Sequence, residues 1–273
     1  MKYEQVIALR AELIKHFNNT DVKNREQHKE LINIINGFTG LYKFITVYDF
    51  YKKKFVFHHG VNRNTGYSPK EFTIESINNA PGVKPHIIHP KDIEHKLRYD
   101  LVIYKLLAEG IDISSLADYY EIKLRIILKN GQLKKVRRQT YVFETDENGS
   151  PKTQLDIWEL LNDNDPYVRV RLNYSGNNIT KRFYEINREL LNFDITQKQI
   201  EIIKLRYNRY DNKQIAEKLN VSIKTIENHI RNLKLKIKTF YRQKNINEKV
   251  RNMNDIIHFI NLYGIFSFTA PHC

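Results

Sequence analysis

The sequence contains a single cysteine among its 273 residues, and that cysteine is the last residue, Cys273. One cysteine can form neither an internal disulfide nor a cysteine metal cage, so both of these scaffolds are excluded. Long apolar runs are also missing, and no stretch reaches the roughly 20 apolar residues that a membrane-spanning helix needs. We therefore expect a cytoplasmic protein with no membrane partner.

Enzyme signatures are missing as well. The ten glycines include no Gly-x-Gly arrangement, and no Gly-rich phosphate loop is present. No His-Glu-x-x-His zinc motif and no nucleophile signature around a serine or cysteine occurs. The receiver domain of a response regulator is disfavoured, because Asp49 lacks the acidic pair that such a domain needs. We therefore expect a protein that is not an enzyme and that requires no cofactor and no metal.

Positive charge, by contrast, is abundant and clustered. The chain carries 45 Lys and Arg against 31 Asp and Glu, which gives a formal net charge of +14. Fifteen of the basic residues but only five of the acidic ones lie between Thr196 and Arg251. Clustered basic charge is the electrostatic footprint of a polyanion binder, although a solvated lysine-rich surface would give the same count.

The apolar pattern of this basic region predicts three successive helices. The first opens at Thr196, and the second is N-capped by Asp211 and ends near Leu219. Ser222 is suited to N-cap a third helix that runs to about Phe240. One side of this third helix carries the apolar residues Ile226, Ile230, Leu233 and Ile237.

Two residues between and within these helices predict a close helix pair. Asn220 tolerates the left-handed conformation that a tight turn between helices requires. Ala216 is small where the third helix must cross closely. The opposite side of the third helix presents Lys224, Glu227, Asn228, Arg231 and Lys234. Arg, Asn and Glu are the side chains that read guanine, adenine and cytosine in the major groove, so the pattern favours DNA recognition.

The same residues closely resemble the LuxR-type (FixJ-type) DNA-binding domain over some forty positions. The matching words are Ile195-Thr196, Ile202-Ile203-Lys204-Leu205, Asn212-Lys213-Gln214-Ile215-Ala216-Glu217-Lys218-Leu219, Val221-Ser222-Ile223-Lys224-Thr225-Ile226-Glu227-Asn228-His229, Asn232-Leu233 and Lys236-Ile237. The resemblance implies an all-α, four-helix DNA-binding domain whose third helix enters the major groove.

By this resemblance, Glu227, Asn228 and Arg231 face the bases. The residues that it places near phosphates are Lys213, Ser222, Lys224, Thr225, His229 and Lys234. The expected partner is double-stranded DNA. An RNA-polymerase-binding or protein-binding adaptor that uses the same fold in a sigma-like manner is the alternative.

In that family a fourth helix dimerises the DNA-binding domains, and we expect a homodimer here. The apolar stripe that would form it comprises Val250, Met253, Ile257 and Ile260, with Tyr263 as a further member before a closing Gly264. The sequence departs from the family pattern at four places. Glutamates usual in the first and second helices are Gln199 and Gln214, and the glycine usual between these helices is replaced around Arg209. The stretch from Thr239 to Asn247 is longer than usual.

The first 37 residues are predicted to be helical. Val6, Ile7, Leu9, Leu13 and Ile14 recur with helical spacing among the charged residues Arg10, Glu12 and Lys15. After this segment the pattern changes to alternation, which predicts strands at Phe44–Phe50 and Phe55–His59.

The next hundred residues predict short helices, one longer helix and a three-strand meander. Ser68, Pro69 and Glu71 have the spacing of a capping box that opens a helix. A longer helix follows His89, which is expected to cap it rather than to bind a metal or haem with His86 and His95. The three strands are predicted at Tyr120–Leu128, Leu133–Glu144 and Thr153–Leu161, with an Asn130-Gly131 hairpin turn between the first two.

This layout, with its Gly66-Tyr67-Ser68 and His89-Pro90-Lys91-Asp92 words, resembles a PAS sensor domain. The resemblance implies that a small-molecule ligand of unknown identity could bind, with Tyr120, Tyr141 and Trp158 lining its cavity; plain core packing is the alternative role for these aromatics. The expected fold class is α+β. The predicted divisions are a helical segment at 1–37, a PAS-like domain at 38–172, a linker at 173–194 and the LuxR-type domain at 195–265. The expected function is sequence-specific transcription regulation.

Overall fold

The computed structural model describes residues 42–111, 119–145, 151–162, 170–173 and 177–266. Contacts divide the chain into two compact units, Met1–Phe183 and Tyr184–Cys273. The helical segment predicted at 1–37 lies outside the described residues. The linker predicted at 173–194 contains this division, but its exact bounds stay a prediction.

The amino-terminal unit is built on one sheet with helices between its second and third strands. Its elements are β1 (Lys43–Asp49), β2 (Lys54–His59), α1 (Val61–Thr65), α2 (Ile74–Ile77), α3 (Pro90–Ala108), β3 (Tyr119–Ile127), β4 (Leu133–Thr145), β5 (Pro151–Leu161) and β6 (Val170–Asn173). The order of two strands, short helices, a longer helix and a three-strand meander confirms the PAS-like layout predicted from the sequence.

The sheet is antiparallel, and its spatial order is β2-β1-β5-β4-β3-β6. The hairpin of β1 and β2 extends the three-strand meander because β1 pairs with β5, and β6 pairs with β3 at the other edge of the sheet. A turn at Asn130-Gly131 joins β3 to β4, and Gly131 has a φ of 83°, which glycine adopts without steric cost.

Strand alternation gives the sheet two different faces. On the face that we call the inner face, Phe44 stacks on Trp158 and packs edge-on against Phe72 of the segment between α1 and α2. On the opposite, outer face, Ile45 and Val47 of β1 cluster with apolar residues of β5. The two sets of residues interleave along each strand because successive side chains point to opposite sides.

The predicted helix start at Ser68 is wrong. The capping contacts themselves form, because the Ser68 backbone N–H and hydroxyl both donate to a Glu71 carboxylate oxygen at 2.8 Å. The turn does not continue into a helix, and α2 begins instead at Ile74 behind Thr73, whose own capping box with Ser76 is complete. Two potential N-caps stand five residues apart, and local sequence does not distinguish them.

The carboxyl-terminal unit is helical. Its elements are the end of α4 (Asn177–Leu191), then α5 (Gln197–Tyr207), α6 (Asn212–Leu219), α7 (Ile223–Gln243) and α8 (Met253–Tyr263). Capping boxes at Thr196 and Asp211 start α5 and α6, and Ser222 starts α7, as predicted. In the described part of the chain no helix is both long enough and apolar enough to cross a membrane.

Two apolar clusters hold these helices together. Ile202, Ile215, Ala216 and Ile226 form a small one that joins α5, α6 and α7. A larger, aromatic one surrounds Phe259 of α8, whose ring lies 4.9 Å from that of Phe193 and 5.3 Å from that of Phe240. Together they fix the orientation of α7 relative to the shorter helices.

The end of α4 is part of this helical core. Asn187 is fully buried, and its side-chain amide donates to the carbonyls of Tyr263 at 2.9 Å and Gly264 at 2.6 Å. Gly264 ends α8 in the left-handed conformation, with a φ of 59°. The Asn187 amide therefore binds carbonyls that the end of α8 leaves without a helical partner.

We expect a substitution at Arg209, in the turn between α5 and α6, to stabilise the protein. Arg209 has a φ of 68°, which costs an L-residue roughly 1–2 kcal/mol, whereas glycine adopts it freely. Glycine also loses about 0.5–1 kcal/mol more conformational entropy on folding, so Arg209→Gly should stabilise the helical unit by about 0.5–1 kcal/mol.

Amide hydrogen exchange of α6 and α7 in the full chain measures this gain. Asn220→Gly is the matched control: Asn220 has a φ of 50°, but asparagine tolerates this region, so we expect little change. Equal gains for the two variants would contradict the proposed strain at Arg209.

Candidate nucleic-acid interface

The helix pair α6 and α7 is joined by a turn of three residues. Asn220 takes the left-handed conformation, with φ 50° and ψ 52°, and ends α6 as the sequence predicts. Ser222 then accepts a hydrogen bond from the Thr225 backbone N–H at 3.1 Å, which starts α7. Ala216 is buried where the two helices cross, so a larger side chain there would separate them.

The three predicted base readers lie on the open side of α7. Glu227 and Arg231 are exposed and Asn228 is half-buried. Arg231 donates a side-chain hydrogen bond to the Asn228 Oδ1 atom one turn away. The two groups that would contact bases are therefore paired with each other in the free protein, and the structure does bring them together.

The predicted phosphate contacts fall into two groups. Lys213 and Lys224 are exposed, while the Ser222 and Thr225 hydroxyls lie 2.8 Å apart within the cap of α7. In the second group, Lys234 donates to the Arg251 carbonyl at 2.8 Å, so its ammonium is held against the protein. Contacts of all these residues with phosphates stay a prediction.

His229 is half-buried, and its backbone carbonyl accepts a hydrogen bond of 3.4 Å from the Gln199 side-chain amide. Gln199 is also the partner of Thr196 in the capping box of α5. Gln199, which stands where the family usually has glutamate, therefore makes two structural contacts through its side-chain amide. Its role as a link between α5 and α7 was not predicted.

Sequence reasoning missed Ile223. It is the first residue of α7, and its side chain is 44% exposed. It precedes Glu227 and Arg231 by four and eight residues, so all three share one side of the helix. The sequence indicates this residue because Ile223 is apolar but does not belong to the buried stripe of Ile226, Leu233 and Ile237.

The predicted dimerisation residues occupy two environments. Val250 and Ile260 are buried in the aromatic core cluster of the same unit. Met253 and Ile257 pack against this cluster but are only partly buried. A role of these four residues in dimerisation stays a prediction. Of the four, Met253 and Ile257 are the ones with exposed surface.

The three aromatics predicted to line a ligand cavity do not share a face of the sheet. Tyr120 and Trp158 are buried on the inner face, on either side of the Arg138 guanidinium. Tyr141 lies on the outer face, where its ring centroid is 5.1 Å from that of Tyr119. The structure therefore brings two of the three together and separates the third.

The inner face contains a buried ionic network that the sequence analysis did not identify. Arg138 donates through Nη1 to Asp100 and through Nε to Asp156, each at 3.0 Å. Lys96 lies 2.7 Å from the other Asp100 oxygen. The Tyr120 hydroxyl also donates to Asp100. Two cations and two anions thus neutralise one another inside the unit.

The electrostatics of this network favour the charged form of Asp100. Burial by itself would raise the pKa of the Asp100 carboxyl, but the adjacent Arg138 and Lys96 outweigh it and hold the pKa well below the usual range. Asp156 accepts further hydrogen bonds from Thr140 at 2.7 Å and from Gln154 at 3.0 Å. Hydrogen bonds of this kind are what a buried charge requires.

The prediction that His89 caps the longer helix is confirmed. Its Nδ1 atom accepts from the Lys91 backbone N–H at 3.2 Å, and Pro90 follows as the first residue of α3. His95 lies within that helix, where its Nδ1 is 3.0 Å from the Arg98 guanidinium. In the described ranges no three His, Cys, Asp or Glu side chains lie close enough together to hold a metal ion.

A short helix, a left-handed turn and a longer helix with a polar open side define the helix-turn-helix class of DNA-binding domains. Residues 194–247 match a family model described as bacterial regulatory proteins of the luxR family. The carboxyl-terminal unit therefore contains a LuxR-type DNA-binding domain, as the sequence resemblance implied. No curated protein shows significant similarity to the chain.

Several solved structures show weak similarity. The amino-terminal domain of a diguanylate cyclase with a PAS/PAC sensor from Marinobacter aquaeolei is 14% identical and covers 42% of this chain and 92% of its own, with a TM-score of 0.33. A phage VqmA–DPO complex is 14% identical and covers 89% and 91%, with a TM-score of 0.30. The Vibrio cholerae VqmA dimer is 11% identical and covers 85% and 86%, with a TM-score of 0.28. These values are too low to assign a ligand, a partner or a function to this chain.

Proposed function

We propose that the protein is a sequence-specific transcription regulator that inserts α7 into the major groove of DNA. The observation that carries this proposal is the open side of α7, where Glu227, Asn228 and Arg231 follow one another on a helix that the rest of the domain holds in place. The surrounding region is strongly basic, and basic surfaces attract phosphates through counterion release. Lys213 and Lys224 are exposed at the two helices of the pair and would anchor the domain on the backbone.

We further propose that two copies bind a two-fold DNA site and that the PAS-like unit regulates them. Helix-turn-helix dimers place their recognition helices in half-sites about one helical turn apart. A ligand or contact that favours one arrangement of the copies would shift the population that binds DNA. No catalytic step enters this proposal.

Footprinting of the full chain on genomic DNA fragments tests the proposal. We expect protection of discrete sites with two-fold symmetry and a steep salt dependence. Six phosphate contacts would give a slope of log affinity against log salt of roughly −5. Lys213→Gln and Lys224→Gln should each reduce this slope by about 1 and weaken all sequences alike. Binding without any sequence preference would overturn the proposal and favour the adaptor role.

We expect Ile223 to contact a thymine methyl group, because apolar side chains in the major groove recognise that group. Replacing the contacted thymine by uracil removes one methyl, which is worth about 0.8 kcal/mol or about a fourfold loss of affinity. The Ile223→Ala variant should bind both duplexes equally. Leu235→Ala is the control, because Leu235 is an exposed residue three turns further along α7. An equal uracil effect in all three proteins would place the methyl contact elsewhere.

A further inference from the structure

Two of the three proposed base readers of α7 are joined by a hydrogen bond. Asn228 and Arg231 are three residues apart, which makes them neighbours on one side of the helix. The Arg231 Nη2 atom donates to the Asn228 Oδ1 atom. Because a guanidinium carries donors and no acceptor, it faces the oxygen of the amide and not the nitrogen. The Asn228 NH2 group is therefore the end of the amide that is turned away from Arg231.

The helix backbone that carries this pair is well anchored. Ile226 and Leu233, on the buried side of α7 before and after the pair, are completely buried. The Ser222 hydroxyl caps the start of the helix by accepting from the Thr225 backbone N–H. An anchored helix keeps the two side chains at the spacing that allows their bond. A hydrogen bond from a cation is also about twice as strong as one between neutral groups.

An asparagine that reads adenine uses both ends of its amide. The NH2 group donates to adenine N7, and the carbonyl oxygen accepts from the adenine N6 amino group. The Asn228 oxygen already accepts from a cation, so an amino group can reach it only by competing with a charge-assisted bond. The contact with N7 does not involve the oxygen. Because guanine also has an acceptor at N7, this contact is the same for both purines.

We propose that Asn228 donates to N7 of adenine or guanine alike, and that Arg231 sets this purine specificity by holding the amide oxygen. The inference rests on the proposed function, in which α7 lies in the major groove. A pyrimidine has no N7 acceptor to offer the NH2 group, so it is rejected. The other N–H groups of Arg231 take no part in the bond with Asn228, and they can contact a guanine or a phosphate at the same time.

Competition titration of the full chain on variants of its protected DNA site tests this specificity. The base pair read by Asn228 is the position at which Asn228→Ala loses discrimination. We expect the unmodified chain to bind duplexes with adenine or guanine there within about threefold of each other, and either pyrimidine about tenfold more weakly. Replacing the purine by its 7-deaza analogue, which lacks the N7 acceptor, should weaken binding about five- to tenfold.

Arg231→Ala should change the base preference itself, which a general loss of affinity does not do. The substitution frees the Asn228 oxygen to accept from the adenine amino group, whereas guanine has the acceptor O6 in that place. We expect adenine to become preferred over guanine by about tenfold at this position. Arg242→Ala is the matched control, because Arg242 is also an exposed arginine of α7. This control should weaken binding and keep the two purines equivalent.

Three results would overturn the inference. A preference of about tenfold for either purine in the unmodified chain would show that the base contact is not limited to N7. An unchanged ratio of the two purines in Arg231→Ala would show that Arg231 does not control the amide. If Asn228→Ala loses discrimination at no position, Asn228 does not read a base.

All three results leave sequence-specific binding by the full chain intact, so the proposed function survives them. Binding without any sequence preference would instead overturn the proposed function, and this inference with it.

Discussion

Replacing Arg138 by methionine is expected to destabilise the amino-terminal unit by about 3–5 kcal/mol, because it leaves Asp100 and Asp156 buried without their shared cation. Methionine fills most of the volume, so the loss comes mainly from uncompensated charge rather than from a cavity. Lys96 lies beside Asp100, so the substitution leaves Asp100 with that cation but removes the ion pair between Arg138 and Asp156. The guanidinium also lies 5.4 Å from the Trp158 ring, and this cation–π contact would be lost too.

Trp158 is the one tryptophan of the chain, so denaturant unfolding followed by its fluorescence reports this unit selectively. Arg137→Met is the matched control. It removes the same charge from the adjacent residue, whose side chain lies on the outer side, is partly exposed and pairs with Glu159, with Glu121 at a longer 3.8 Å. Exposed pairs contribute up to about 1 kcal/mol, so we expect a small effect there. Equal losses for the two variants would mean that the buried network does not hold the unit together.

The second large effect is expected at the proposed DNA interface. Asn228→Ala combined with Arg231→Ala removes two of the proposed base readers, and a good contact with a base is worth roughly 1–3 kcal/mol of discrimination. The preference for the specific site over unrelated DNA should therefore fall by about 30-fold or more. Affinity for unrelated DNA should fall much less, because only one positive charge is lost.

Arg242→Ala controls for that charge, since Arg242 is exposed near the end of α7. This control should weaken binding to all sequences and preserve the ratio between specific and unrelated sites. The ratio is measured by competition titration at fixed salt. An unchanged ratio in the double variant would exclude Asn228 and Arg231 as base readers. Single variants add a further test, because the hydrogen bond between the two side chains predicts that their effects are not additive.

Local sequence predicted most of the elements because their signals are local. Asp211 and Gln214 form a capping box, Asn220 takes the left-handed turn, and the strands β3 and β4 follow their alternating pattern within one or two residues. The start of α2 was misplaced because Ser68 and Thr73 are equally good caps in sequence. Only the packing of the segment after α1, with Phe72 against the sheet, decides between them.

Some features of the candidate site could also be predicted from local sequence, and others could not. The order Glu227, Asn228, Arg231 on the open side of α7 follows from helical spacing and from the LuxR-type words, and so does the burial of Ile226 and Leu233. The pairing of Lys234 with the Arg251 carbonyl joins residues 17 positions apart, and no periodicity indicates it. The placement of Tyr141 on the face opposite to Tyr120 and Trp158 also depends on strand register.

The sequence alone determined the class of the carboxyl-terminal domain, its caps and the exposed polar side of α7, because each depends on contacts within a few residues along one helix or turn. The tertiary structure decided the ionic network of Lys96, Asp100, Arg138 and Asp156 and the burial of Val250 and Ile260. Their partners come from distant elements, and whether a charge is neutralised or an apolar side chain is covered depends on which elements are neighbours in space.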